Sequence, residues 1–204
     1  MDHLTLYTNP MSRGRIARWM LEEIGQPYQV VVLDYGTSMK APAYLAINPM
    51  GKVPALTHGA RVITEGAAIC TYLADAFPEA GLMPEDRAAF YRWMFFGAGP
   101  LEAAVVNRSL GVVVPPEAKG RVGYGSLEDV VATLKAHLAG RDYLVGKAFS
   151  AVDVYLGSQI AWGLQFGTIP PEPEFAAYAA RITARPAALR AKTADDALIQ
   201  HAQR

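Results

Sequence analysis

A chain of 204 residues that is half apolar can form one domain or two modest ones, and buries enough surface to be stable without metals or disulfides. Its 19 acidic and 19 basic side chains cancel, which leaves no long-range field to gather nucleic acid or an anionic membrane. The start MDHLTLYTNP lacks the basic stretch and apolar run of a secretory signal, VVV at 112–114 is too short to span a bilayer, and the single cysteine, Cys70, has no partner for an internal disulfide. The expectation is a soluble, cytoplasmic protein.

Leu4, Leu6 and Tyr7 lie in a short strand-like run. Ile16, Trp19, Met20 and Ile24 then follow spacings of three and four, which gathers the apolar groups on one helical face, and Gly25 with Pro27 supplies the stop. The β-branched stretch Tyr28 to Leu33 predicts a buried parallel strand and completes a βαβ unit. After a looser stretch with Gly36, Pro42 and Pro49, the runs PALT at 54–57 and RVIT at 61–64 are separated by His58, Gly59 and Ala60, a spacing that suits a β-hairpin. A helix from about Glu65 to Ala76 follows, with Ile69, Tyr72, Leu73 and Ala76 on its apolar face.

This order reads as a thioredoxin-like βαβαββα domain over residues 1–77, and Pro78, Gly81 and Pro84 make 78–84 a linker. Nothing in 85–204 reads as a sheet. Arg87 to Arg108 is rich in helix formers, Leu127, Val130, Val131, Leu134 and Leu138 form a stripe between a Ser126 cap and Gly140, and a further helix is expected at Ser150. The expected fold class is α/β plus all-α, a thioredoxin-like domain followed by a helical bundle.

Three stretches carry a resemblance to the soluble glutathione transferase family, in its bacterial, theta-like serine form. They are LYTNPMSRGRIARWMLEE at 6–23, NPMGKVPAL at 48–56 with ITEG at 63–66, and FSAVDVYLGS at 149–158 with AAYAARITARPA at 176–187. They stand in the order and spacing of that family, from about Leu4 to Arg190. The resemblance implies a cis Val53–Pro54 bond, which turns the backbone N–H and C=O of Val53 toward the extended peptide of glutathione in strand-like pairing. Glu65 and Gly66 stand where a strand hands over to a helix, so free N–H groups and the positive end of the helix dipole meet a carboxylate. By resemblance these bind the γ-glutamyl end, with Glu65 on its ammonium, while Lys52 pairs with the glycyl carboxylate. Gly66 departs from the serine or threonine usual in the family and offers only its N–H.

Transferase chemistry requires the glutathione thiol as thiolate, so a free-thiol pKa of about 8.5 must be lowered by a hydrogen bond and positive potential. Ser12, ahead of the first helix, matches the activating serine of the theta-like and delta-like classes and is the expected catalytic residue. Asn9 is the second candidate, through its amide; its other role is to form the turn beside Pro10. Tyr7 stands two residues too far from the Arg13, Gly14, Arg15 triplet to match the tyrosine classes, and reads as a strand-end core aromatic. Arg13 and Arg15 either add positive potential or are simply solvated. No cysteine stands at the active position and no C-x-x-C pair is present, so thiol-disulfide exchange is not expected, and Cys70 reads as a buried packing group.

Ser150-x-x-Asp153 is a capping pattern, hence structural rather than catalytic. In the family the acceptor pocket lies between the two domains, and Met11, Tyr91, Phe95 and Trp162 are its candidate lining here, each equally suited to a core. The implied activity is conjugation of glutathione to an apolar electrophile by a homodimer, with glutathione as co-substrate and no metal. The alternatives are another glutathione-dependent reaction (lyase, dehalogenase, isomerase or peroxidase) or a non-catalytic ligand-binding protein.

Overall fold

The computed structural model describes residues 3–202; the outermost residues of the two expected domains, 1–2 and 203–204, lie outside them. The elements are β1 (Leu4–Thr8), α1 (Gly14–Ile24), β2 (Tyr28–Val32), α2 (Pro42–Leu45), β3 (Ala55–His58), β4 (Arg61–Thr64), α3 (Gly66–Ala76), α4 (Arg87–Phe96), α5 (Glu102–Ser109), α6 (Leu127–Leu138), α7 (Ala151–Phe166), α8 (Pro173–Thr183) and α9 (Pro186–Ala202). Contacts divide the described chain into two units, one running to Leu82 and resuming at Ala184, the other covering Met83–Thr183.

The first unit is built on a four-stranded sheet of order β2-β1-β3-β4, with β1 and β2 parallel and the other pairs antiparallel. This is the thioredoxin-like arrangement the sequence predicts. Ile16, Ala17, Met20 and Leu21 of α1 and Ile69, Cys70 and Leu73 of α3 are buried together with Leu6 and Leu56 of the sheet. Burial pushes the Cys70 thiol far up, so it is an inert packing group. The hairpin closes through a two-residue turn rather than three, because His58 pairs with Arg61 and Gly59 takes a φ of 58°.

One strand is not as expected. β2 pairs only with β1, at the sheet edge, and Gln29 to Val32 are exposed instead of buried. Its β-branched residues report a preference for extended backbone, which an edge satisfies as well as a core does. The looser stretch before β3 forms a 3-10 turn at Ser38–Lys40 and the short α2, which pack Met39 and Tyr44 against Leu33, Ala55 and the half-buried Tyr7 and Val53.

The second unit is helical. α7 runs through its core, with every residue from Ala151 to Ser158 buried, and α8 packs beside it through Phe175, Tyr178 and Ile182. The stretch from Arg87 to Arg108, rich in helix formers, is helical but is interrupted at Gly97–Leu101 by a widened π turn holding Pro100. Proline lacks the N–H and its ring crowds the carbonyl four residues back, so the turn opens there. The capping box at α7 is present, with Asp153 Oδ2 accepting from the Ser150 N–H at 2.9 Å.

The last helix also departs from the sequence reading, which places 184–204 in the helical bundle. α9 packs against α1 of the first unit. The two helices are joined by the ion pairs of Arg15 with Asp196, Arg18 with Asp195 and Glu22 with Arg190, and a further pair joins Glu23 to Arg185 just ahead of α9. Charge pairing between residues 162 to 181 positions apart is invisible to local periodicity. Among the described residues no helix is long and apolar enough to cross a membrane.

Candidate functional site

The sheet register aligns one end of three strands. Tyr7 of β1 lies opposite Ala55 of β3, and Ala55 opposite Thr64 of β4. Neighbouring strands stand about 4.8 Å apart, so this row is about 10 Å across. Just beyond it lie the turn carrying Ser12, the segment Lys52-Val53-Pro54, and Glu65 with Gly66. Six residues singled out by sequence are thereby gathered at one edge of one unit.

The Ser12 turn is held from within. Ser12 Oγ donates to the Asn9 carbonyl at 2.7 Å and accepts the Gly14 N–H at 2.9 Å, so the half-buried hydroxyl caps the start of α1. The Asn9 amide is buried and engaged: Nδ2 donates to the Leu33 carbonyl at 2.8 Å and Oδ1 accepts the Met11 N–H at 2.9 Å. Arg15, which the sequence leaves between positive potential and simple solvation, donates through Nε to the Pro10 carbonyl at 2.6 Å. Tyr7 packs its ring 5.7 Å from that of Tyr44, as a strand-end aromatic does.

The second segment is held by groups that sequence reasoning missed. Tyr44 Oη and Asn48 Nδ2 both donate to the Lys52 carbonyl, at 2.6 and 2.8 Å, and Lys40 Nζ donates to the Gly51 carbonyl at 2.6 Å. Asn48 Oδ1 accepts the Met50 N–H at 3.1 Å, an Asx turn that Asn48-Pro49 could have signalled. These bonds fix the backbone ahead of the cis Val53–Pro54 peptide and leave the Lys52 side chain exposed. Burial raises the Tyr44 hydroxyl pKa further from neutrality.

Glu65 is the single non-glycine residue with positive φ among the described residues, at φ 66° and ψ 122°. This backbone costs about 1 to 3 kcal/mol and persists where the surroundings enforce it. It swings the chain from β4 directly into α3, so the N–H groups of the first helical turn and the positive helix end open at the row's edge. The Glu65 side chain is exposed and Gly66 is half-buried.

Of the candidate acceptor residues, Met11 belongs to the first unit, where it is 72% exposed. Tyr91, Phe95 and Trp162 belong to the second. Tyr91 and Phe95 are exposed on α4 rather than in their unit's core, and Trp162 is half-buried on α7. Among the described residues no group of three or more His, Cys, Asp or Glu side chains is arranged to hold a metal.

Residues 6–81 match the model of the glutathione S-transferase N-terminal domain. Glutathione S-transferase GST-4.5 of Xanthomonas campestris pv. campestris is 30% identical over 183 residues, covering 80% of this chain and 84% of that protein. The chain belongs to the glutathione S-transferase family. By that membership it is an enzyme, a transferase. Two solved relatives agree over the whole fold. A sphingomonad glutathione S-transferase complexed with glutathione superposes with a TM-score of 0.77 at 32% identity, covering 94% of this chain and 98% of that one. The theta class enzyme of Xanthomonas axonopodis pv. citri, with glutathione bound, gives 0.75 at 32% identity, covering 94% and 97%. The transferase therefore shares its architecture with bacterial members of the family, a theta class member among them.

Proposed function

We propose that this transferase binds glutathione along the edge formed by Val53, Glu65 and the Ser12 turn, and adds its thiolate to an electrophilic carbon of an apolar acceptor. The observation that carries this reading is the Tyr7, Ala55, Thr64 row, which brings a peptide-pairing backbone, an open helix N-terminus and a turn hydroxyl to one edge. Val53 would pair with the cysteinyl unit, the α3 terminus with Glu65 would hold the γ-glutamyl carboxylate and ammonium, and Lys52 would meet the glycyl carboxylate. Met11, exposed beside Ser12, favours an apolar acceptor, and Tyr91, Phe95 and Trp162 are proposed to contribute to its binding. A cytoplasmic homodimer remains part of the proposal.

Ser12 would act by rotation about Cβ–Oγ. Its hydrogen leaves the Asn9 carbonyl for the sulfur, while the Gly14 N–H continues to donate to Oγ and polarises the hydroxyl. The thiol proton departs to solvent, the sulfur lone pair forms the C–S bond, and the leaving group or a protonated product departs. A hydrogen bond to a charged acceptor is worth about 1.5 to 3 kcal/mol. Ser12→Ala is therefore expected to lower kcat/KM roughly 10- to 100-fold and to raise the bound thiol pKa, read from the pH profile of conjugation. Unchanged turnover sinks the assignment to Ser12, and a loss confined to Asn9→Ala transfers it to Asn9.

Gly66 favours a second reading, a ligand-binding protein with weak glutathione affinity, because the family hydroxyl is missing there. Calorimetric titration with glutathione separates the two: millimolar or tighter binding together with conjugation rules out the non-catalytic form.

A further inference from the structure

The four ion pairs between α1 and the segment from Arg185 to Asp196 run antiparallel, and only the first of them touches the turn that carries Ser12. Arg15 uses its guanidinium as a fork. Nε donates to the Pro10 carbonyl at 2.6 Å, and Nη2 donates to Asp196 Oδ1 at 2.6 Å. Pro10 follows Asn9, whose carbonyl accepts from Ser12 Oγ and whose side chain holds the Met11 N–H. Asp196 is itself braced by Lys192 one helical turn earlier, at 2.8 Å. A covalently remote helix is thereby connected through two hydrogen bonds to the peptide next to the hydroxyl.

We propose that Arg15 is a positioning residue for the Ser12 turn, held in place by Asp196 of the last helix, so that α9 completes the thiol-activating edge. This rests on the reading of Ser12 as thiol activator. A planar guanidinium can satisfy two acceptors on separate elements at once, where an ammonium on a flexible stem cannot hold both in fixed geometry. Arg15 also carries charge, so the rival account is a simple field acting on the thiolate, in which the turn geometry plays no part.

The two accounts predict opposite signs. Asp196→Asn removes the carboxylate that neutralises Arg15 and leaves Lys192 unpaired, so both cations gain influence and a field mechanism lowers the thiol pKa. Positioning predicts a rise, because the turn loses its brace. Arg15→Lys keeps the charge, so a field mechanism predicts no change and positioning again predicts a rise.

The experiment uses the full chain with glutathione and a chlorodinitrobenzene electrophile, taking the acid limb of kcat/KM and the ultraviolet absorbance of bound thiolate. Wild type, Ser12→Ala, Arg15→Lys, Asp196→Asn and the control Arg190→Gln, which breaks a pair far from the turn, are compared. Arg15→Lys and Asp196→Asn are expected to raise the thiol pKa by about 0.5 to 1 unit, roughly a three- to tenfold loss of rate on the acid limb, with KM for glutathione within about twofold. Arg190→Gln lowers the melting temperature and leaves the limb in place. A thiol pKa that stays put in Arg15→Lys, or falls in Asp196→Asn, overturns the proposal. Ser12→Ala shifting the limb while both other variants do not rejects Arg15 alone; the reverse pattern rejects Ser12 as activator and, with it, the positioning role proposed for Arg15. Absence of a depressed thiol pKa in wild type rejects both. Arg15 and Asp196 are partly exposed, and should Arg15→Lys fail to fold, the sign in Asp196→Asn decides.

Discussion

A Cβ on Gly14 would overlap the Thr8 hydroxyl and stand 3.0 Å from Ser12 Oγ. The first residue of α1 is therefore glycine because the end of β1 and the capping serine close over it. Thr8 is fully buried and cannot swing aside into solvent. Overpacking of this kind costs about 1 to 3 kcal/mol. Gly14→Ala is expected to lose that much in urea unfolding and to displace the Ser12 turn. Removing Oγ1 by Thr8→Ala relieves the clash in part, so the double variant should be more stable than the sum of the single effects predicts. Strict additivity would show that the contact is absent in solution.

Glu65 combines a strained backbone with a candidate ligand contact, and two substitutions separate them. Glu65→Gly relieves a conformation costing about 1 to 3 kcal/mol, offset by about 0.5 to 1 kcal/mol of glycine entropy in the unfolded chain. The net expectation is a gain of about 1 kcal/mol by denaturant unfolding. Glutathione affinity should fall about tenfold or more with the loss of a charged hydrogen bond. Glu65→Gln keeps the backbone cost, so it should weaken binding with no gain in stability. A Glu65→Gly variant that binds as well as wild type would leave the residue only its place at the helix start.

What could be read from the sequence follows from how local each cause is. The α1 and α3 faces, the hairpin and the Ser150-x-x-Asp153 cap depend on spacings of two to four residues, and each is present. The motif at 48–56 likewise marks Val53 and Pro54 directly. The exposure of β2 depends on sheet order, and a β-branched run is the same at an edge and in a core. The docking of α9 depends on ion pairs between residues such as Arg18 and Asp195, which no periodicity connects. Lys40 and Tyr44 hold the backbone of Gly51 and Lys52 across a loop, so neither stands out until the chain is folded.

Asp153 is a buried acid with four donors: Leu144 N–H and Tyr178 Oη on Oδ1 at 2.9 and 2.8 Å, and Ser150 N–H and Oγ on Oδ2 at 2.9 and 3.1 Å. Asp153→Ala removes the cap, worth about 0.5 to 2 kcal/mol, and strands buried donors at about 1 to 3 kcal/mol each. The expected loss is about 3 to 5 kcal/mol by denaturant unfolding, with turnover per folded molecule unchanged. Asp153→Asn keeps one acceptor oxygen and should lose roughly half as much. A variant that stays fully stable but loses turnover would make Asp153 catalytic.

His137 gives the helical unit a pH dependence of known sign. Its ring stacks on Trp93 with centroids 4.0 Å apart, and Nε2 stands 2.7 Å from the Leu144 carbonyl, to which it donates. Burial holds its pKa below the usual value, assisted by the cations of Arg141 and Arg92 and opposed by the Leu144 bond. The unfolded chain then takes up the proton first as pH falls, at about 6.5. The His137 contribution is complete above that pH and is lost as pH drops toward the lower folded value, by at most about 1.4 kcal/mol per unit. His137→Gln preserves a donor to Leu144 without titrating. The stability difference between pH 7.5 and 5.5 in denaturant unfolding should shrink in that variant. An equal difference in both proteins would mean that the imidazole titrates alike folded and unfolded, and that its stacking on Trp93 shields it from nothing.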